Sequence, residues 1–142
     1  MAPARVLVVD DFAAWRRTIV SIIEEEPGLK VIDEASDGLE AVEKCQQLQP
    51  DLVLLDVGLP KICGLEAARR IRKVSPNSKI LFLTATLDWD VMREAVKLGA
   101  LGYVAKADAL RDLMPAVRAA VGDKEFLRFT IFPDTQTDLP EE

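Results

Sequence analysis

Short, dense apolar runs alternate along the chain with longer stretches whose apolar residues recur every three or four positions. The run from Arg5 to Val9 predicts a strand, and Phe12, Trp15, Ile19, Ile22 and Ile23 then fall at helical spacing. Pro27-Gly28 ends that helix, and Lys30 to Glu34 predicts a short second strand. Asp37 and Glu40 form a capping-box pattern ahead of a helix with Leu39, Val42, Cys45 and Leu48 on its apolar face; Pro50 closes it. The uninterrupted run Leu52 to Leu55 predicts a strand buried on both faces, ending in Asp56 and stopped by Gly58 and Pro60. Leu65, Ala68 and Ile71 mark a third helix, finished near Ser75-Pro76. Ile80 to Leu83 predicts a buried strand that ends at Thr84, and Asp88 to Leu98 is helical through Val91, Ala95 and Leu98. Gly99 to Gly102 makes a tight return into Tyr103-Val-Ala-Lys106. Asp108 or Asp112 caps a last helix with Leu113, Val117 and Val121 inward. Because proline fits a helix best in its first turn, Pro115 predicts that the regular helix starts or restarts near Asp112. Trp15 and Trp89 read as helix-face packing.

Strand and helix in alternation imply a parallel sheet with right-handed crossovers and helices on both faces. The expected fold is therefore α/β: a doubly wound, flavodoxin-like sheet of five strands in the order 2-1-3-4-5, with its switch point between the first and third strands. Residues 1–122 form one domain. Residues 123–142 are an extension, read as partly disordered or as a linker to an absent output domain; within it Phe126 to Phe132 forms an added strand or a strip laid on the body.

A chain of 142 residues, 49% hydrophobic and 30% charged, is long enough to bury a core without disulfides or metal staples. Its net charge of −6 argues against direct nucleic acid binding by this domain. Cys45 and Cys63 have no repeated spacing and are expected to be reduced thiols. The absence of histidine excludes histidine-dependent triads, most catalytic zinc sites and a phosphohistidine carrier. No apolar stretch is long enough to span a bilayer, and the amino-terminal run is too short for a signal peptide, so a cytoplasmic location without membrane attachment is expected.

In the expected strand order, Asp10, Asp11 and Asp56 converge at one end of the sheet, and their repulsion must be relieved by protons or a cation. Mg²⁺ suits such a site because it accepts one or two carboxylates and keeps several waters, with Asp11 and Asp56 as candidate direct ligands. Thr84 adds a hydroxyl and Lys106 a fixed cation. The set suits phosphoryl transfer, in which positioning and charge neutralisation dominate, and a carboxylate can itself be the nucleophile.

Val-Val-Asp10-Asp11, Leu-Leu-Asp56-Val-Gly-Leu-Pro60, Gly64-Leu-Glu, Leu-Thr84-Ala and Gly102-Tyr-Val-Ala-Lys106 together resemble the receiver domain of two-component response regulators, nearest in flavour to receivers of LuxR-type regulators. The likeness runs from about Val6 to the last helix. It implies a phosphoacceptor switch rather than an enzyme, catalysing only its own phosphorylation and dephosphorylation. Asp56 would take phosphate from a sensor histidine kinase or phosphotransfer protein. Asp11, Asp56 and the Gly58 carbonyl would hold Mg²⁺, with Asp10 supporting the metal's waters. Thr84 and Lys106 would contact the phosphoryl oxygens, and Tyr103 would turn inward as Thr84 moves, changing the surface around it. The Asp88 to Leu110 face would then pair with an output partner or a second copy. Many receivers carry proline where Ala107 follows Lys106, so this loop is expected to lack a fixed cis bond.

Two other readings compete. A haloacid-dehalogenase-like phosphatase also uses an aspartyl nucleophile, a threonine and a lysine, but it wants an acid two residues beyond the nucleophile, where Gly58 follows Asp56 and Phe12 follows Asp10. A receiver-like interaction module that is never phosphorylated would not need the complete acid set.

Overall fold

The computed structural model describes residues 2–85 and 87–127. Strands β1 (Ala4–Val9), β2 (Leu29–Ala35), β3 (Leu52–Asp56), β4 (Lys79–Thr84) and β5 (Gly102–Ala105) alternate with helices α1 (Ala13–Glu24), α2 (Gly38–Leu48), α3 (Gly64–Val74), α4 (Trp89–Lys97) and α5 (Ala109–Val121). A two-residue strand, β6 (Phe126–Leu127), comes after α5. All pairings are parallel and the sheet order is β2-β1-β3-β4-β5-β6, the expected five-strand order with one strand added at the β5 edge. The Phe126 N–H donates to the Leu101 carbonyl at 2.7 Å. The remainder of the expected Phe126 to Phe132 strip, and the polar tail after it, lie outside the described residues.

The central strands are apolar on both faces because each face is covered by helices. Val6, Val8, Leu52, Leu54, Leu81, Leu83 and Val104 pack with Ile19 and Ile23 of α1 and Leu113, Ala116, Val117 and Ala120 of α5. The intervening residues Leu7, Val9, Val53, Leu55, Ile80, Phe82 and Tyr103 pack on the opposite side with α2, α3 and α4. Period-two alternation in buried strands thus builds two cores, one on each side of the sheet. Trp15 and Trp89 pack against opposite cores, as the helical spacing predicts. Cys45 is buried and Cys63 exposed, both free thiols.

Local details depart from the sequence reading in α2 and α5; at the end of α5, Val121, expected inward, is exposed. In α2 the buried residues are Gly38, Ala41 and Cys45, while Leu39 is exposed. The helix approaches the β3–α3 loop so closely that a Cβ on Gly38 would sit 2.2 Å from the Ile62 carbonyl oxygen, and small residues rather than leucine face inward. The expected cap of α2 is present, with Asp37 accepting from the Glu40 N–H at 2.7 Å, but the return bond is displaced by one residue: Glu40 accepts from the Ser36 N–H at 2.8 Å. Finally, α5 begins at Ala109 with Asp108 at its N-cap position, without a side-chain cap bond, and Pro115 lies inside it. Pro115 is on the exposed side of that helix. The carbonyl it leaves without a helical donor, that of Arg111, is one turn back on the same solvent-facing side, where water can serve it.

Candidate functional site

β1 and β3 end side by side, so the turn after β1 and the last residue of β3 meet at the carboxyl end of the sheet. Asp10, Asp11 and Asp56 each place a carboxylate oxygen within 4.8 Å of the others. Asp10 and Asp56 are 3% and 6% exposed, whereas Asp11 is open to solvent. The Lys106 Nζ, arriving from the end of β5, lies 2.6 Å from Asp10 Oδ2 and 3.3 Å from Asp56 Oδ2. Three carboxylates facing one ammonium leave the cluster short of positive charge, and oxygen donors suit a hard divalent cation. The residues therefore fit a metal site.

Each acid has a distinct commitment. Asp10 accepts from the Phe12 N–H at 2.9 Å through Oδ1 and from Lys106 through Oδ2, so both its oxygens are engaged. Asp56 accepts a longer bond, 3.3 Å, from the Gly58 N–H through Oδ1. Burial pushes the Asp56 carboxyl above the ordinary aspartate range; Lys106 opposes that shift, and the Asp10 charge adds to it. Burial works against the charged form of Lys106, but hydrogen bonds and charge from Asp10 and Asp56 outweigh it and hold the ammonium above its ordinary value.

Thr84 ends β4 beside Asp56 and is 5% exposed. A cleft of about 470 Å³ lies over these residues, lined by Asp11, Asp56, Gly58, Thr84, Asp88 and Lys106 among others. Tyr103 is fully buried on the α4 side of the sheet, with its hydroxyl 3.5 Å from the Asp88 carbonyl oxygen. Burial raises its phenol pKa, and a hydrogen bond with the Asp88 backbone, with a lesser one to Thr84, opposes that rise. Tyr103 and Thr84 are thus in direct contact, and the ring already lies inward. Asp88 also caps α4, accepting from the N–H groups of Asp90 and Val91 at 2.8 and 3.1 Å.

The loop after Asp56 is fixed by close packing. Gly64 N–H donates to the Val57 carbonyl at 2.7 Å, and a Cβ on Gly64 would lie 2.1 Å from the Asp56 carbonyl oxygen. Lys61, at φ 71°, pairs with Asp37 at 3.3 Å and ties the loop to the start of α2. The described residues contain no cis peptide bond.

Residues 6–118 match the response regulator receiver domain family. The chain belongs to that family. As a receiver it is 40% identical over 102 residues to the chemotaxis protein CheY of Thermotoga maritima, covering 72% of this chain and 84% of that protein. It is 35% identical over 116 residues to the transcriptional regulatory protein LiaR of Bacillus subtilis, covering 82% of this chain and 55% of LiaR. A solved two-component response regulator of the LuxR family from Aurantimonas superposes with a TM-score of 0.87 at 30% identity, covering 96% of this chain and 97% of that one. The chain spans about half the length of several curated relatives it matches, LiaR at 55% and the response regulator GacA of Pseudomonas viridiflava at 58%. Among the described residues, no helix of the receiver is long and apolar enough to cross a membrane.

All six side chains singled out in the sequence gather around this end of the sheet, and the Gly58 backbone lines the same cleft. Two participants escaped the sequence reading. The Asp88 carbonyl acts through backbone, which side-chain patterns do not reveal. Arg16, whose guanidinium donates to the Asp10 carbonyl at 2.6 Å, looks in sequence like any solvated helix cation.

Proposed function

We propose that this receiver is a phosphoacceptor switch of a two-component system, with Asp56 as the acceptor. The observation that carries the reading is the meeting of Lys106 Nζ with the carboxylates of Asp56 and Asp10, at 3.3 and 2.6 Å, inside a cleft that also holds Asp11 and Thr84. An Asp56 oxygen attacks phosphorus in a phosphohistidine of a sensor kinase or phosphotransfer protein. The P–N bond breaks, and the donor imidazole keeps its electron pair. Asp11, Asp56 and the Gly58 carbonyl would hold Mg²⁺, and Asp10, with both carboxylate oxygens engaged, would support the ion's waters. The bound ion supplies charge neutralisation for the transferred oxygens. Lys106 and Thr84 take the remaining phosphoryl oxygens, whose charge the partly enclosed cleft leaves poorly screened by water.

The phosphoryl group adds about −1.5 to −2 charge where Asp56 is already difficult to ionise. Lys106 and Thr84 are drawn toward it, and because Thr84 contacts Tyr103 and Tyr103 contacts Asp88, the movement reaches the start of α4. The Asp88 to Leu110 face is then the surface read by an output partner or a second copy. Loss of phosphate is self-catalysed, with Gly58 leaving the acyl phosphate open to water; the chain turns over no other substrate. The phosphatase alternative lacks its general acid, since Gly58 and Phe12 stand where it is required.

The test is intact-mass spectrometry after incubation with Mg²⁺ and acetyl phosphate. Wild type should gain one labile phosphoryl group and Asp56→Asn none. A stoichiometric adduct retained by Asp56→Asn would reject Asp56 as acceptor, and multiple turnover of a phosphoester would favour the phosphatase.

A further inference from the structure

Asp10 is held on every polar group it has. Its N–H donates to the Ala35 carbonyl at 3.0 Å, its Oδ1 accepts from Phe12 N–H at 2.9 Å, and its Oδ2 meets Lys106 at 2.6 Å. The carbonyl oxygen accepts from Arg16 Nη1 at 2.6 Å. That carbonyl belongs to the rigid peptide unit leading into Asp11, so whatever fixes its plane also fixes the direction from which Asp11 presents its carboxylate.

Arg16 is itself restrained. Its Nε donates to Glu34 Oε1 at 2.8 Å, and the side chain is only 18% exposed. Glu34 reaches it because of an irregularity in the sheet: the β1–β2 register passes from Val6↔Val31 to Leu7↔Asp33, skipping Ile32. The skipped residue exchanges the faces of the rest of β2, so Glu34, opposite Val8, falls on the α1 side, and Asp33, opposite Leu7, falls on the α2 side. Asp33 there meets Lys44 of α2 at 3.2 Å, and Lys44 also donates to the Glu34 carbonyl. Without the bulge, Glu34 would face α2, and the shorter Asp33 would fall on the α1 side in its place.

We propose that Arg16 is a positioning residue for the metal: with its charge balanced by Glu34, it fixes the Asp10–Asp11 peptide and thereby aims Asp11, without touching the ion. The inference rests on the reading above that Asp11 and Asp56 hold Mg²⁺. A residue that merely tied α1 to the sheet would change stability and leave metal affinity alone, which separates the two roles.

The experiment is calorimetric titration of Mg²⁺ into the full chain at low and high salt, with a thermal melt of each protein. Arg16→Ala should weaken binding about tenfold, the usual scale for a lost outer-shell partner, at both salt concentrations. Arg16→Lys reaches the carbonyl but lacks the fork for both partners, and should recover to within about threefold of wild type. Glu34→Gln should weaken binding at low salt, with the loss shrinking as salt screens the uncovered guanidinium. Arg16→Ala that binds within about twofold of wild type while melting at lower temperature would overturn the proposal; if that variant does not fold, wild-type affinity in both Arg16→Lys and Glu34→Gln would overturn it. A wild-type chain that takes up no Mg²⁺ would instead overturn the metal reading beneath it.

Discussion

At the scale of single residues, the site is organised around a carboxylate whose charge is costly. Burial first, and the Asp10 charge in addition, raise the Asp56 pKa above its ordinary value despite Lys106. A group whose folded pKa is raised favours folding below its unfolded pKa and loses that contribution as pH rises through the folded one. At neutral pH, therefore, ionised Asp56 is a burden on the fold. Asp56→Asn should raise the melting temperature by about 2–6 °C at pH 7 and gain less at acid pH, where wild-type Asp56 is already protonated. Lys106 behaves oppositely in use although its pKa is also raised: its stabilisation is complete at neutral pH and disappears only as pH climbs beyond the ordinary lysine range. Lys106→Met should lower the melting temperature at pH 7 and slow phosphorylation by acetyl phosphate about a hundredfold, read by stopped-flow or intact mass. Asp56, Thr84 and Lys106 were legible in the sequence because each ends an apolar run, and strand ends of a parallel sheet converge. Arg16 was not, because one of its partners is a backbone carbonyl and the other, Glu34, reaches it through a register shift that leaves no residue pattern.

At the scale of elements, the strands were read more faithfully than the helix faces. Strands β3 and β4 announce themselves by unbroken apolar runs, whereas α2 is packed through Gly38 and Ala41, residues too small to weigh in a hydropathy pattern. Close approach selects them, and the same logic applies beside Asp56. Gly64→Ala would place its Cβ against the Asp56 carbonyl, forcing backbone to move; it should cost about 3 kcal/mol in denaturant unfolding and reduce adduct formation more than the stability loss alone explains. The inward faces of Leu113 and Val117 in α5 were read correctly, but its start was misplaced because the reading treated Pro115 as a boundary. The helix tolerates the proline where the missing bond faces water, while Leu113, Ala116, Val117 and Ala120 keep the opposite face buried. Pro115→Ala should consequently stabilise the protein by about 1 kcal/mol, the regained helical bond being partly offset by a more flexible unfolded chain.

At the scale of the whole molecule, the order of strands was legible because alternating strand and helix leaves few connections of the right hand. The sixth strand was only one of two expectations for its segment, since a run such as Phe126-Leu127 does not declare whether it pairs or merely packs. Pairing along Gly102 and Tyr103 places it on the edge of the strand that carries Tyr103 and leads into Lys106. The fold thus gathers acid, alcohol and amine at one end of the sheet and links them through Thr84, Tyr103 and Asp88 to α4. The most direct test of the central claim is chemical location of the acceptor. Borohydride reduces an acyl phosphate to an alcohol, so the accepting aspartate becomes homoserine, which peptide mass spectrometry can locate. After incubation with Mg²⁺ and acetyl phosphate, that product should appear at position 56 and nowhere else. Its appearance at position 10 or 11, a borohydride-resistant phosphoester at Thr84, or no conversion at position 56 would contradict the account.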